Sequence, residues 1–331
     1  MKTVRKCIAF VLVLTVMTCL FMFGSIIAQA EGTTNEEVAK PANWPKRDVT
    51  ITVGFAAGGD VDLNARLLAK YLTPLFGTNV VVNNVTGATG VNAIIDVVES
   101  EPDGYNILFS HNGGLATEAY GGSPVSLFDD METGSGIMID NTYVLVVSST
   151  RGLNNYDEFV KFAKENPGEL VISANANTNA YNICRCIEEG AGIELKKVEG
   201  GASITDRIVS CLAGDIDLIT GAYNQFADYI ENGDMVLIGS LSEVRAISHP
   251  EIPTLGEQGC PMVSLYDYGF RFPKGTPQEI MDYVDYCVKQ VCEDPEFVEE
   301  LTALGPNVAY RTPADWLKVC EETYAGIVTR G

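Results

Sequence analysis

Histidine and positive charge are what this sequence has little of. Of 331 residues only two are histidine, His111 and His249, and 22 Lys and Arg stand against 44 Asp and Glu. Neither histidine sits in a metal-ligand spacing, and no Gly-x-Ser-x-Gly elbow occurs, so a serine–histidine hydrolase lacks its parts. Missing too are the Gly-Lys-Ser/Thr of a phosphate loop and the Gly-x-Gly-x-x-Gly of a dinucleotide fold, which argues against nucleotide chemistry. The net charge of −22 leaves no basic surface for nucleic acid. Acidic pairs such as Asp129-Asp130 and Glu188-Glu189 read as solvated surface in so acidic a chain, so an exported α/β enzyme is the weaker of the alternatives.

What is present begins with an export signal. Lys2, Arg5 and Lys6 precede an apolar run from Ile8 to Ala28, and Ala28-Gln29-Ala30 is a small-x-small cleavage site. A signal peptide over residues 1–30 is expected, although the run is also long enough to remain as a membrane anchor. Cleavage removes three positive charges and no acid, taking the net charge from −22 to −25. Residues 31–43 are polar and unpatterned, a tether to the folded part. Seven cysteines follow, Cys184, Cys186, Cys211, Cys260, Cys287, Cys292 and Cys320. An odd number without metal spacing leaves at least one thiol unpaired in a monomer, and Cys184 and Cys186, two apart in a helical pattern, point to nearly opposite sides. Neither a metal nor another cofactor is expected.

The folded part opens on a strand, a glycine turn and a helix. Val49, Ile51, Val53 and Phe55 alternate with Thr50, Thr52 and Gly54, Ala56 to Gly59 break the alternation, and Asp60 is a candidate N-cap. Leu63, Leu67, Leu68, Tyr71, Leu72 and Leu75 then form an apolar helical stripe. Glycines without Cβ allow a ligand near the backbone, and the first helical N–H groups point outward with the dipole's positive end behind them, an anion-binding mouth. A second such turn, Thr86 to Gly90, follows strand Asn79–Asn84, and a third strand edge ends at Ser110–Gly114. This β-α-β-α-β order predicts a parallel sheet whose strand ends converge on one crevice. From Tyr143 to Leu241 the alternation resumes and predicts a second parallel sheet. Its turns are Asn175 to Asn179, Gly200 to Ser203 and Gly221 to Asn224. Three helices begun by Pro277, Pro295 and Pro313 complete the chain and are expected to pack back on the first unit.

Four stretches resemble the solute-binding proteins of tripartite tricarboxylate transporters, the Bug family. They are Gly54-Phe55-Ala56-Ala57-Gly58-Gly59-Asp60-Val61-Asp62 with Arg66, the Asn84–Gly90 turn, Pro102-Asp103-Gly104-Tyr105, and Ile252-Pro253-Thr254-Leu255-Gly256-Glu257-Gln258-Gly259. Lys274-Gly275-Thr276-Pro277 also looks like the family's entry to the C-terminal helices. The resemblance implies an α/β, bilobed periplasmic-binding-protein architecture of type II, a Venus flytrap. One lobe spans residues 44–142 and 267–331, the other 143–266. It further implies a periplasmic or membrane-surface monomer that holds a small organic anion, a carboxylate, between the lobes and delivers it to integral-membrane permease subunits. A sensor of the same fold would share all of these features.

Ala57, Gly58, Gly59 and Asp62 match the family's first binding loop, and Gly87, Ala88 and Thr89 its second. His111 and Asn112 are candidate donors at the third strand edge. From the second lobe, Asn175, Asn177 and Thr178, with Gly221, Ala222 and Tyr223, are candidate contacts. Gly54 stands where the family usually has proline, and Tyr181 where histidine is frequent. Each candidate has a purely structural alternative. Asp62 interacts with the helix dipole by about 0.3–1 kcal/mol without any ligand, and Arg66 is placed as its i,i+4 partner. Phe226, Tyr223 and Tyr266 fit a core or a rim better than a cofactor stack.

Overall fold

The computed structural model describes residues 38–200, 203–262 and 266–330; the export signal, most of the tether, and Gly201 and Ala202 of the Gly200–Ser203 turn lie outside them. Strand β1 (Val49–Val53) leads to helix α1 (Asp60–Phe76), then β2 (Val80–Asn84), α2 (Val91–Val98), β3 (Asn106–His111), α3 (Gly113–Ala119) and β4 (Met131–Ile139). β1 pairs in parallel with β2 on one side and with β3 on the other. It is central, so Val49, Ile51, Thr52 and Val53 are all buried on both faces.

The helical stripe of α1 runs through Val61, Ala65, Leu68, Leu72 and Phe76, while Leu63 is 42% exposed. The expected stripe through Leu63 and Leu75 is therefore rotated: the 4-3-4-4 spacing ending on Phe76 buries a continuous row against the sheet. Gly59, not Asp60, occupies the N-cap, and no side chain caps it. The Asp60 carboxylate reaches elsewhere.

The second half of the chain supplies β5 (Tyr143–Ser148), α4 (Tyr156–Glu165), β6 (Val171–Ser173), α5 (Asn179–Ala191) and β7 (Lys196–Val198). It continues with α6 (Ile204–Ala213), β8 (Leu218–Ala222), α7 (Ala227–Glu231) and β9 (Met235–Ser240). These strands form a five-stranded sheet in the order β7-β6-β8-β5-β9. β6, β7 and β8 are parallel, whereas β5 runs antiparallel to β8 and β9. β10 (Asp267–Pro273), α8 (Gln278–Glu293), α9 (Pro295–Leu304), β11 (Asn307–Arg311) and α10 (Pro313–Arg330) return to the first sheet. That sheet has six strands in the order β11-β4-β10-β3-β1-β2. Both sheets are thus mixed, and the crevice-facing strand ends lie in their parallel halves.

In the antiparallel half of the first sheet, β4 and β10 are interrupted by glycines, although Tyr268, Phe270 and Phe272 of β10 alternate. Those glycines have a packing reason. A Cβ on Gly136 would lie 2.7 Å from the Trp316 ring, one on Gly269 2.5 Å from the Ser135 carbonyl, and one on Gly134 2.8 Å from Phe272. Trp316 of α10 is 1% exposed and fills the trough that Gly136 and Gly269 leave. The C-terminal helices do pack on the first sheet, with α9 against α1 and α10 against β4.

All seven cysteines of the mature region are buried and none is in a disulfide. Burial pushes the thiols up, to about 12 for Cys184 and Cys292 and about 11 for Cys211 and Cys287.

The crevice side of the first sheet is held by glycine on glycine. A Cβ on Gly54 would sit 2.6 Å from the Gly90 Cα, so proline at this position would collide with the second loop. Gly54→Ala is expected to cost about 1–3 kcal/mol by forcing the two loops apart, measurable as a lowered midpoint in urea unfolding at unchanged slope.

Candidate functional site

The two sheets are joined by two crossovers lying side by side. Asp140–Thr142 carries the chain from β4 to β5, and the return segment enters β10 through Tyr266. The Asp140 N–H donates to the Tyr266 carbonyl at 2.9 Å, and Ile139 pairs with Asp267. Above this hinge the parallel strand ends of the first sheet face the second lobe.

The first loop, Ala56 to Gly59, is braced from within. The Gly58 N–H donates to Asp62 Oδ2 at 2.8 Å, Arg66 Nε to the same oxygen at 2.9 Å, and Asn84 Nδ2 to Asp62 Oδ1 at 2.9 Å. Burial raises the Asp62 pKa, but the hydrogen bonds from Arg66, Gly58 and Asn84 outweigh it, and the carboxyl is held below its ordinary value. Asp62 is 1% exposed and fully engaged, so it shapes the loop. The Gly59 N–H is also committed, to Ala56 O at 3.2 Å. Ala57 is exposed at the loop's tip, and the N–H groups of Asp60, Val61 and Asp62 precede the first intrahelical bond, from Leu63 to Gly59.

The second loop is backbone under strain. Gly87 (φ 120°), Ala88 (46°), Thr89 (56°) and Gly90 (95°) all take positive φ, two of them with side chains. A non-glycine residue in this region costs about 1–2 kcal/mol, and such strain is held by its surroundings at functional sites. Here the Asn92 amide donates to the Thr86 carbonyl at 3.0 Å and fills the space a Cβ on Gly87 would need. The run places four successive residues in positive-φ backbone directly before α2. Gly87, Ala88 and Thr89 are exposed.

At the third strand edge His111 and Asn112 part company. Asn112 is buried, taking the Asp267 N–H on its Oδ1 at 3.3 Å while its own N–H donates to Asp267 O, so it ties β3 to β10. His111 lies in the crevice. Its Nδ1 accepts the Gly113 N–H at 3.0 Å, which assigns the proton to Nε2. Burial pulls the imidazole down to about 4, against the opposing charge of Asp60, so the ring is a neutral donor at pH 7.

Around His111 stand side chains not singled out as donors in the sequence. The ring stacks on Phe55 and meets Tyr266 and Tyr268, with centroids 5.3–5.4 Å away. Tyr143 and Tyr266 stack at 3.5 Å. The Tyr143 and Tyr268 hydroxyls donate to Asp60 Oδ2 at 2.7 and 3.4 Å. Burial, and then the Asp60 charge, push both phenols well above their ordinary value. The usable signal was Tyr266-Asp267-Tyr268, alternating at the start of a strand.

From the second lobe, Thr178 caps α5 by accepting the Tyr181 N–H at 3.4 Å and donates its hydroxyl to Asn175 O at 2.7 Å. Asn175 Oδ1 accepts from Gly200 N–H at 3.4 Å, and Asn177 takes φ 59°, which asparagine tolerates. Asn179, the first residue of α5, is 6% exposed, and its side chain reaches the Tyr266 ring's hydroxyl. Its Nδ2 lies beside Gly113 and the His111 ring. Gly221, Ala222 and Tyr223 lie instead at the hinge end of β8. The Ala222 N–H goes to Gln225 and the Tyr223 N–H to Thr142 O, and the Tyr223 ring packs on His249, which removes these donors from the crevice. Phe226 is core.

The lobes touch across one wall of the crevice. α3 packs on α5, the Tyr120 hydroxyl donates to Asn182 Oδ1 at 3.2 Å, and a Cβ on Gly122 would lie 3.0 Å from the Asn177 carbonyl. Among the described residues no group of His, Cys, Asp and Glu converges to hold a metal.

A two-lobed α/β binding protein with an interlobe crevice is the class this architecture defines. Residues 64–327 match the model of the tripartite tricarboxylate transporter family receptor, and the chain belongs to that family. Protein BugT of Bordetella pertussis is 28% identical over 280 residues, 82% of this chain and 84% of that protein. Among solved structures, the periplasmic binding protein BugD superimposes with a TM-score of 0.73 at 25% identity, covering 86% of this chain and 97% of its own. MatC from Rhodopseudomonas palustris, solved with bound malate, gives 0.71 at 21%, covering 87% and 99%. Family membership makes the chain a solute receptor and not an enzyme.

The hinge yields a pH prediction. Burial pushes Asp140 up to about 6, even though the Thr142 hydroxyl and N–H both donate to it. A carboxyl raised on folding favours the native state fully below its unfolded value near 3.8, and that contribution is lost as pH rises through about 6. Asp140→Asn is expected to differ least from the native protein near pH 4 and to gain stability relative to it up to about pH 6, read from denaturant unfolding across that range.

Proposed function

We propose that this receptor works outside the cytoplasmic membrane, captures a small carboxylate between its lobes and hands it to membrane permease subunits as a monomer. Residues 44–142 with 267–331 are one jaw and 143–266 the other. What supports this is the strained second loop, exposed at Gly87, Ala88 and Thr89, whose N–H groups serve in this reading as the anion cradle of the first lobe. Ala57, Gly58 and Gly59 form its neighbouring wall, with Asp62 holding that wall in shape. His111 Nε2 adds a neutral donor from the same lobe, and the Asn175–Thr178 turn faces it from the other.

Few parts are needed. A micromolar Kd is about −8 kcal/mol, and hydrogen bonds to a charged group contribute roughly 1.5–3 kcal/mol each, so four or five donors suffice after ordering costs. Closure of the lobes expels water from these donors and strengthens them. Family membership supports the permease as partner and the exported location, and the malate held by MatC supports the ligand class.

A thermal-shift panel of carboxylates, amines and neutral sugars tests the reading. A ligand at about 100 times its Kd adds roughly 2.7 kcal/mol, so a raised Tm confined to carboxylates is expected, and shifts confined to neutral compounds would sink it. Closure is tested by Gly122→Ala, whose methyl would press on Thr117 of its own lobe at 2.9 Å and on Asn177 O across the lobe contact at 3.0 Å, the first read in urea unfolding and the second in ligand affinity. It should disfavour the closed form by about 1–3 kcal/mol, weakening affinity about tenfold to a hundredfold while small-angle scattering shows a more open particle.

A further inference from the structure

The lobes meet along a seam of polar side chains. Gly113, Thr117 and, at the C-cap, Tyr120 follow one another on α3 at spacings of four and three, which puts them on one face, and α3 packs on α5 of the other lobe. Opposite stand Asn179 and Asn182, one turn apart. The Asn179 amide lies beside Gly113, and the Tyr120 hydroxyl donates to Asn182 Oδ1 at 3.2 Å. Thr117 lies between these contacts, and its methyl and the Asn177 carbonyl would both crowd a Cβ on Gly122. Asn182 is fully buried, and Thr117 and Asn179 are more than nine-tenths so. Helices that stay packed bury an apolar stripe at such positions.

This seam is only half satisfied. Asn182 Oδ1 takes the Tyr120 hydroxyl, but Asn182 Nδ2 donates to no protein acceptor, and the Thr117 hydroxyl has no hydrogen-bond partner in the protein. A buried donor or acceptor left over in this way costs more than a neighbouring bond returns. The cost falls on one form alone: with the lobes apart both groups face solvent, and with the lobes together both are shut away from it.

We propose that Thr117 and Asn182 set how far the receptor favours its open form, and through that balance how tightly it holds any solute. Measured affinity is the affinity of the closed form reduced by the fraction of molecules closed without solute. A costlier seam therefore weakens binding and a cheaper one tightens it, with the crevice unchanged. The inference rests on the two-jaw reading and deepens it by naming residues that fix the resting position of the jaws.

Small-angle scattering of the mature chain without solute tests it. Thr117→Val, which exchanges one oxygen for a methyl at similar helix propensity, is expected to raise the closed-to-open ratio about fivefold to a hundredfold, the worth of one unpaired buried group. Tyr120→Phe acts in the opposite sense, since it removes the bond across the seam and leaves the whole Asn182 amide unpaired. Thr117→Val, Tyr120→Phe and Asn182→Leu together make the seam apolar, and this variant is expected to be compact with no solute added. Urea unfolding at the native slope establishes that each variant is folded, and Thr117→Val decides alone if the triple variant is not. A native chain already compact without solute overturns the inference, and so does a Thr117→Val or apolar-seam particle as open as the native one. Thr117→Val and Tyr120→Phe shifting the particle in the same direction overturns it as well. These readouts contain no solute, so their failure leaves the carboxylate reading standing, and a receptor that binds no carboxylate leaves the role of the seam standing.

Discussion

Everything in this molecule that concerns a solute depends on the pairing of its two crossovers. The Asp140 N–H bond to Tyr266 O, continued by the Ile139–Asp267 pairing, places two strands of chain side by side where the sheets meet. Two adjacent connections permit rotation of one lobe against the other while forbidding separation, which is the motion a hinge needs. The same few residues also line the crevice floor: Tyr143 begins one strand leaving the hinge, and Tyr266 and Tyr268 bracket the start of the other.

Two acids at the head of α1 divide the work of the first loop. Asp60 and Asp62 are two residues apart, hence about 200° around the helix at 3.6 residues per turn. Asp62 turns inward, where Gly58, Arg66 and Asn84 surround it, and Asp60 turns to the tyrosines across the crevice. The first fixes the backbone on which the second is presented. The opposite loop achieves rigidity differently, by glycine contact at Gly54 and Gly90 and by a run of positive φ.

Much of this was legible in residue order. The strand–glycine–helix units around Val49–Phe76 and Val80–Val98 obey period-2 and period-3.6 patterns, and the turns between them carry the glycines and caps that such turns require. β4 and β10 were hidden because Gly134, Gly136 and Gly269 look like breaks, and only Trp316, far along the chain, shows two of them, Gly136 and Gly269, to be a packing trough. Leu63 misled because leucine spacing alone cannot tell which of two overlapping stripes the sheet will cover. Asp62 and Asn112 read as ligand contacts, and each is engaged in bracing; Tyr143 and Tyr268 escaped notice since Asp60, which both bond, lies 83 and 208 residues away. Glycine turns announce a mouth locally, but the aromatic and polar side chains around it are assembled from distant parts of the chain.

The buried cysteines tie chemistry to folding. Unfolded, the chain exposes seven sulfurs, and the folded chain buries all seven without a disulfide. Closure of the core is what takes these thiols out of reach of exchange, since a thiolate must be accessible to attack or be attacked.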